Sequence, residues 1–130
     1  MKTFEIRVKT TEEALKDFAH TFDAVKVGKR VRKKEGVYFT SIEAARNLLT
    51  PERIKLLTLI HNQGPQSIYQ LARICNRDPK NVHEDIKLLE RYGILRTRLR
   101  TRASRTQRVS EVLYDEINLR ISLAAHSKSA

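Results

Sequence analysis

Cysteine is nearly absent from this sequence, because Cys75 is the only one among 130 residues. No disulfide can therefore form within the chain, and we expect Cys75 to be a small core residue, with a redox-sensitive thiol as the alternative. The histidines do not approach each other at metal-ligand spacing, so the sequence predicts no metal site. They are His20, His61, His83 and His126.

Long apolar runs are also missing. No stretch approaches the length of a bilayer span, and the N-terminal residues 1–7 lack the uncharged apolar core of a signal peptide. We therefore expect a cytoplasmic protein without a membrane contact. A glycine-rich phosphate loop, a carboxylate cluster and a nucleophile with a positioned base are absent as well. The sequence accordingly predicts neither an enzyme nor a cofactor.

Positive charge is abundant and concentrated in two segments. The net charge is +11, with seven positive charges between Arg91 and Arg108 and six between Lys26 and Lys34, so the rest of the chain has a net charge of −2. Neither segment contains an acidic residue. A chain that is almost neutral outside two basic segments is expected to present them to a polyanion, of which nucleic acid is the commonest.

Residues 67–92 carry the signals of two short helices joined by a tight turn. Ser67 with Gln70 forms a capping-box pattern, and Asp78 with Pro79 supplies a second N-cap followed by the residue best tolerated at the first helical position. Only residues 76–77 remain between the two helices. Such a short connection is typical of a helix-turn-helix that offers its second helix to the DNA major groove.

The second of these helices is predicted from Pro79 to about Tyr92, with Gly93 as its left-handed cap. Val82, Ile86 and Leu89 define a buried stripe. The remaining polar side chains are the candidate DNA-binding residues of the helix: Lys80, Asn81, His83, Glu84, Lys87 and Arg91. The alternative interpretation of this pattern is a solvated amphipathic helix with no ligand.

An arginine-studded segment follows Gly93 and predicts a β-hairpin. Alternation along its first strand gives one cationic face, and residues 101–106 are interpreted as a flexible tip because they hold no evident two-residue turn. The candidate DNA-binding residues of this wing are Arg96, Arg98, Arg100, Arg102, Arg105 and Arg108. Placed after a helix-turn-helix, the hairpin is expected to grip phosphates or enter the minor groove, with a solubilising arm as the alternative.

The rest of the chain predicts an α+β fold: a winged helix-turn-helix with an N-terminal strand-helix extension and a C-terminal strand. A strand is expected at residues 4–9, an amphipathic helix at 11–25, a short strand from Gly36 and further helices at 42–49 and 52–63. A last strand is expected at 117–123. The predicted domains are 1–35 for dimerisation or partner contact, 36–112 for DNA binding, and 113–130 for the C-terminal strand and tail.

Four sequence segments resemble those of a family of small prokaryotic predicted transcriptional regulators with a MarR-like winged helix-turn-helix. They are GVYFTSIEAAR at 36–46, LTPER at 49–53, RDPKNVHEDIKLL at 77–89 and YDEI at 114–117. The likeness extends from about residue 14 to 123. Some members of the family are thought to be antitoxins encoded beside a toxin gene, so the resemblance implies a DNA-binding regulator and allows a toxin partner.

These patterns together predict a repressor that binds double-stranded DNA as a homodimer. Ser67 and Tyr69 are the expected phosphate anchors, because free backbone N–H groups gather at the start of a helix. The extensions outside the winged helix are expected to form the dimer interface. Two alternatives stay open: an antitoxin that binds a toxin protein and regulates its own operon, and a non-specific RNA-binding or architectural DNA-binding module.

Overall fold

The computed structural model describes residues 1–26 and 36–123, so most of the basic segment between Lys26 and Lys34 lies outside the described residues. The elements are β1 (Thr3–Val8), α1 (Thr11–Lys26), β2 (Gly36–Phe39), α2 (Ile42–Leu48), α3 (Pro51–Gln63), α4 (Ile68–Cys75), α5 (Pro79–Arg91), β3 (Leu95–Arg102), β4 (Arg105–Val112) and β5 (Glu116–Ile121). The predicted order of helices and strands is confirmed. The fold is α+β and contains a winged helix-turn-helix.

Local capping sets the start of each helix in the winged-helix segment. The Thr50 hydroxyl accepts a hydrogen bond from the Arg53 N–H before Pro51 starts α3. The predicted capping box of α4 is confirmed, and the Asp78 carboxylate caps α5 through the Lys80 N–H. At the turn between α4 and α5, Asn76 adopts a left-handed conformation with φ 53°, which a short polar side chain tolerates best among non-glycine residues.

The chain divides into two compact units that differ from the predicted domains. We name residues 1–2 and 47–116 the winged-helix unit, and residues 3–46 and 117–130 the sheet unit. The segment 36–46 was predicted to belong to the DNA-binding domain. It falls in the sheet unit because β2 pairs with β1 and not with the wing.

The sheet unit is built on three strands in the order β2-β1-β5. The pairing of β1 with β2 is parallel and aligns Glu5 with Gly36. A Cβ atom at Gly36 would lie 2.1 Å from the Glu5 carbonyl oxygen, so only glycine fits at this position of the paired strands. The alternating residues Phe4, Ile6 and Val8 of β1 are fully buried and supply the core of the unit.

Helix α1 leaves apolar side chains in solvent. Ala14 is buried, whereas Leu15 and Phe18 are 63% and 70% exposed. The sequence pattern placed all three on one apolar stripe, so the stripe is only partly used within the described chain. An exposed Leu and Phe one turn apart on a helix are typical of a surface that contacts another molecule.

The winged-helix unit packs α3, α4 and α5 around one apolar core and closes it with the hairpin of β3 and β4. The buried stripe predicted for α5 is confirmed, since Val82, Ile86 and Leu89 are 0 to 3% exposed. The other buried apolar residues of this unit come from every neighbouring element: Leu48, Leu56, Leu57, Ile60, Leu71, Ala72, Ile94, Leu95 and Val109.

A histidine-carboxylate pair joins two distant parts of the winged-helix unit. His61 Nε2 on α3 lies 2.9 Å from Asp115 Oδ1, and the second oxygen of Asp115 accepts a hydrogen bond from the Lys2 N–H. Hydrogen bonds to the Asn62 side chain and to Asp115 raise the pKa of His61 above its usual value of 6.5. The pKa of Asp115 is lowered by its hydrogen bonds to His61 and to the Lys2 N–H.

This pair predicts a pH-dependent stability. Because folding raises the pKa of His61, its contribution is complete below the pKa of the unfolded histidine, about 6.5, and is lost as the pH rises through the higher folded value. Because folding lowers the pKa of Asp115, its contribution is lost only when the pH falls through that depressed value. We therefore expect the difference in unfolding free energy between the parent and His61→Gln to be largest near pH 5, where His61 is protonated and Asp115 is ionised.

Urea unfolding at intervals between pH 4 and 9 measures this difference. The Asp115→Asn variant, alone and combined with His61→Gln, is the control, since the two substitutions should be non-additive near pH 5 and additive near pH 9. A parent-minus-variant difference that stayed constant across this range would contradict the prediction.

Candidate nucleic-acid interface

Helix α5 presents a continuous polar surface opposite its buried stripe. The six residues predicted to bind DNA are all exposed: Lys80, Asn81, His83, Glu84, Lys87 and Arg91. Spacings of three and four residues align Lys80, Glu84, Lys87 and Arg91 along one line, with Asn81 and His83 on its two flanks. The surface therefore has hydrogen-bond donors along its length and one carboxylate among them.

An ionic clamp fixes α5 in place. Asp85 is 13% exposed at its side chain and accepts hydrogen bonds from Arg53 Nε on α3, at 3.1 Å, and from Arg77 Nη2 in the turn before α5, at 2.8 Å. Arg53 also donates to the carbonyl oxygens of Asn47 and Leu48 at the end of α2. One carboxylate thus ties α5 to α3 and to the turn before α5, which sets the direction in which the exposed face of α5 points.

The wing is a regular antiparallel hairpin whose pairing extends from Leu95↔Val112 to Arg102↔Arg105. The prediction of a flexible tip over residues 101–106 is wrong, because residues 101–102 and 105–106 belong to the paired strands. Ala103 and Ser104 form a two-residue turn with φ values of 47° and 65°, the backbone that matches the twist of two paired strands. The sequence signal was hidden because glycine and asparagine usually occupy these two positions.

Two arginines at the base of the wing share one carboxylate within the protein. Glu111 lies opposite Arg96 on the neighbouring strand and accepts from Arg96 Nε at 2.6 Å and from Arg98 Nε at 2.8 Å. The hydrogen bonds from Arg98 and Arg96 hold the pKa of Glu111 below its ordinary value. Arg96 and Arg98 were predicted to bind DNA, and Glu111 was not recognised from the sequence as their partner.

Arg100 is also engaged, in the middle of the hairpin. It donates to the Pro65 carbonyl oxygen and to Gln107 Oε1, each at 3.2 Å. Next to this contact, Gln66 and Ser110 exchange two backbone hydrogen bonds of 3.1 and 2.8 Å. The residues before α4 are therefore fastened to the wing, so the start of α4 and the hairpin hold a fixed position relative to each other.

Three arginines in the outer half of the hairpin have no side-chain partner among the described residues: Arg102 and Arg105 beside the turn, and Arg108 in β4. They line a cleft of about 470 Å³ between the hairpin and the first residues of α4, together with Ser67, Ile68, Tyr69, Thr106 and Gln107. We name it the wing-tip cleft. It combines guanidinium groups with the positive end of a helix, and both attract an anion such as a phosphate.

The two predicted phosphate anchors behave differently in this cleft. Ser67 is 4% exposed, and its hydroxyl and N–H group are both used in the capping box with Gln70, at 3.2 and 2.9 Å. Its side chain therefore holds the start of α4 and has little capacity for a second partner. Tyr69 is 74% exposed at the mouth of the cleft, where its hydroxyl can donate to an anion.

The wing also contacts α5 directly. The Thr97 hydroxyl donates to Glu90 Oε2 at 3.0 Å, which links β3 to the last turn of α5. The exposed face of α5 and the wing-tip cleft are thus parts of one unit. Within residues 1–26 and 36–123 there is no group of side chains that could hold a metal ion, and no helix long and apolar enough to cross a membrane.

Comparisons with known proteins give one matching family and two similar solved structures. The sequence model of the HVO_A0114 family matches residues 48–119, more than half of the chain. A transcriptional regulator homologue from Pyrococcus horikoshii OT3 is 23% identical over 53% of this chain and 69% of its own, with a TM-score of 0.47. Stf76 from the Sulfolobus islandicus plasmid-virus pSSVx is 16% identical over 54% and 90%, with a TM-score of 0.45. No curated protein matches this chain.

Proposed function

The chain belongs to the HVO_A0114 family, and we propose that it is a sequence-specific DNA-binding transcriptional regulator, a repressor that acts as a homodimer. The observation that carries the proposal is the wing-tip cleft. The side chains of its three arginines have no partner within the described residues, whereas on the same hairpin Arg96 and Arg98 are bound to Glu111 and Arg100 donates to the Pro65 carbonyl and to Gln107. Guanidinium groups without a hydrogen-bond partner in the protein are those that a DNA phosphate would neutralise most readily.

The proposed binding mode follows from the geometry of the unit. Helix α5 enters the major groove, with Lys80, Asn81, His83 and Lys87 towards base edges or backbone, while the wing-tip cleft holds a phosphate of the flanking duplex or enters the minor groove. Tyr69 would contact the same phosphate as the wing arginines. A helix of this length reads only a few base pairs, so two copies on two half-sites are needed for useful specificity.

Repression is the simplest regulatory consequence of this mode. Two half-sites separated by one helical turn span about 10 base pairs from centre to centre, and a dimer across them covers a larger length of duplex. Such a complex at a promoter excludes polymerase without any further activity. We propose that the winged helix-turn-helix is of the MarR-like kind.

The exposed side chains Leu15 and Phe18 on α1 favour a protein partner as well. The first candidate is a second copy of the chain. The second is a toxin protein, as in the antitoxin hypothesis. Light scattering at micromolar concentration is expected to give the mass of a dimer, whereas a monomer that becomes a complex only with a protein encoded beside it would support the antitoxin.

Specificity is tested by comparing two exposed positions on α5. Asn81 lies in the first turn, where side chains reach base edges, and Lys87 lies about two turns further along the helix. Asn81→Ala should weaken binding to a duplex selected from a random library by roughly 1 to 3 kcal/mol, with little change on unselected DNA. Lys87→Ala should weaken both alike.

Fluorescence anisotropy on the selected and an unselected duplex measures the four affinities. Asn47→Ala, an exposed substitution at the end of α2, is the control and should leave them unchanged. If the library yielded no enriched sequence, and both α5 variants lost affinity equally on every duplex, the protein would be a non-specific module instead.

A further inference from the structure

Strand β5 forms an edge of the sheet. In the order β2-β1-β5 it pairs with β1 on one side, and no strand of the described residues pairs with its other side. Its sequence EINLRI contains no proline, and it keeps Leu119 and Ile121 exposed at 50% and 40%. An unprotected edge strand of six residues with exposed apolar side chains is a template for pairing with another strand.

The hydrogen bonds to β1 show which groups of β5 point outwards. The Ser122 N–H donates to the Val8 carbonyl oxygen at 3.4 Å, and the Lys2 carbonyl oxygen accepts from Glu116 at 3.3 Å and from Asp115, which precedes the strand, at 2.8 Å. Successive residues of a strand direct their N–H and C=O groups to opposite sides. The even-numbered residues therefore direct their N–H and C=O groups towards β1. Ile117, Leu119 and Ile121 direct theirs to the free edge.

Side chains alternate in the same way. Arg120 Nε lies 3.9 Å from Glu5 Oε1, which places the even-numbered side chains of β5 on the polar face of the sheet. Ile117, Leu119 and Ile121 then share the opposite face with the buried Phe4, Ile6 and Val8. The apolar face of the sheet thus continues to its edge, where Leu119 is half exposed.

We propose that β5 pairs antiparallel with β5 of a second copy around a two-fold axis through Asn118, so that two three-stranded sheets become one sheet of six strands. This inference rests on the homodimer of the proposed function and names its interface. The axis places Glu116 opposite the partner's Arg120 and Ile117 opposite the partner's Leu119, each twice because of the symmetry. Both charge and apolarity are matched.

Other registers match the charged and apolar side chains of the two strands less well. A shift by one residue would place apolar side chains of one copy on the polar face of the other and would oppose outward with inward backbone groups. An axis through Leu119 keeps the faces but sets Arg120 opposite the partner's Asn118, and Glu116 opposite the partner's Ser122. Only the axis through Asn118 gives two opposite-charge pairs, and each such pair is a recognised source of strand-pairing energy.

Disulfide trapping tests the register. In a Cys75→Ala background, Asn118→Cys puts two thiols directly opposite each other in a non-hydrogen-bonded pair, where the Cα atoms are about 4.5 Å apart and a disulfide can form. We expect most of the protein to become a covalent dimer on mild oxidation. Leu119→Cys and Arg120→Cys are matched controls, since their thiols would be separated by a diagonal of about 7–8 Å or by about 13 Å.

Three results would overturn the inference. They are no covalent dimer from Asn118→Cys, equal dimer from all three variants, or trapping by Leu119→Cys alone, which would move the axis. Charge reversal gives an independent measurement: Glu116→Arg and Arg120→Glu should each raise the dimer dissociation constant about tenfold or more, and the double variant should restore it. A double variant no tighter than either single one would also overturn the pairing.

The outcome is distinguishable from that of the proposed function. DNA binding at paired half-sites by a protein that Asn118→Cys does not trap would leave the regulator intact and place the dimer interface elsewhere. A trapped, charge-dependent dimer that binds no DNA would keep this interface and remove the proposed function.

Discussion

Replacing Arg102 and Arg105 together with alanine removes four guanidinium groups from a dimer on two half-sites, and is expected to lower the slope of log affinity against log salt by about four units and to weaken DNA binding roughly a thousandfold or more at 0.1 M salt. Each guanidinium that neutralises a phosphate releases condensed counterions, and these two side chains have no partner within the described residues. Because a phosphate carries no sequence information, the loss should be similar on selected and unselected duplexes.

The matched control is Arg96→Ala with Arg98→Ala. This double variant removes the same charge from the same hairpin, but its arginines are already paired with Glu111. We expect its salt slope to change by less than one unit. Equal slopes in the two double variants would show that only the total charge matters, and that the wing-tip cleft has no special part in binding.

Comparing duplexes with different flanking sequences distinguishes two ways in which the wing tip could contact DNA. If Arg102 and Arg105 enter the minor groove, the loss should be larger on A·T-rich flanks, where a narrow groove strengthens the negative potential. If they contact phosphates alone, A·T-rich and G·C-rich flanks should lose affinity equally. A salt slope equal to that of the parent on both duplexes would contradict the proposed role of the tip.

The second large effect is on stability. Asp85→Ala should lower the free energy of unfolding by about 3 kcal/mol, because it leaves the guanidinium groups of Arg53 and Arg77 close together and mostly buried without a counter-charge. The pair is partly open to solvent, which keeps the expected cost at the lower end for a buried ion pair. Urea unfolding followed by circular dichroism measures it.

Glu84→Ala is the control on the same helix, since its carboxylate is exposed and should change stability by less than 0.5 kcal/mol, as is usual for a surface substitution. A loss below about 1 kcal/mol for Asp85→Ala would mean that the clamp does not hold α5.

Helix boundaries were predictable because their signals are local. Ser67 and Gln70 lie three residues apart and satisfy each other's backbone, and Pro79 cannot continue a preceding helix, so no tertiary information is needed to place these starts. The buried stripe of α5 follows from periodicity for the same reason. Both features act within one or two turns of the chain.

The charge state of the wing could not be predicted in the same way. Glu111 lies thirteen to fifteen residues from Arg98 and Arg96 and becomes their neighbour only through the register of β3 with β4. That register depends on a turn at Ala103 and Ser104, which lacks the usual glycine or asparagine. Arg100 likewise meets the Pro65 carbonyl 35 residues away, so its engagement requires the tertiary fold.

Hydroxyl-radical footprinting of the parent and of the Arg102→Ala, Arg105→Ala variant on one selected duplex tests the central claim most directly. The parent should protect two half-sites about one helical turn apart, with further protection of the flanking backbone where the wing tips lie. In the variant the flanking protection should disappear while the half-sites remain. A footprint without bounded half-sites, or flanking protection that persists unchanged in the variant, would contradict the account.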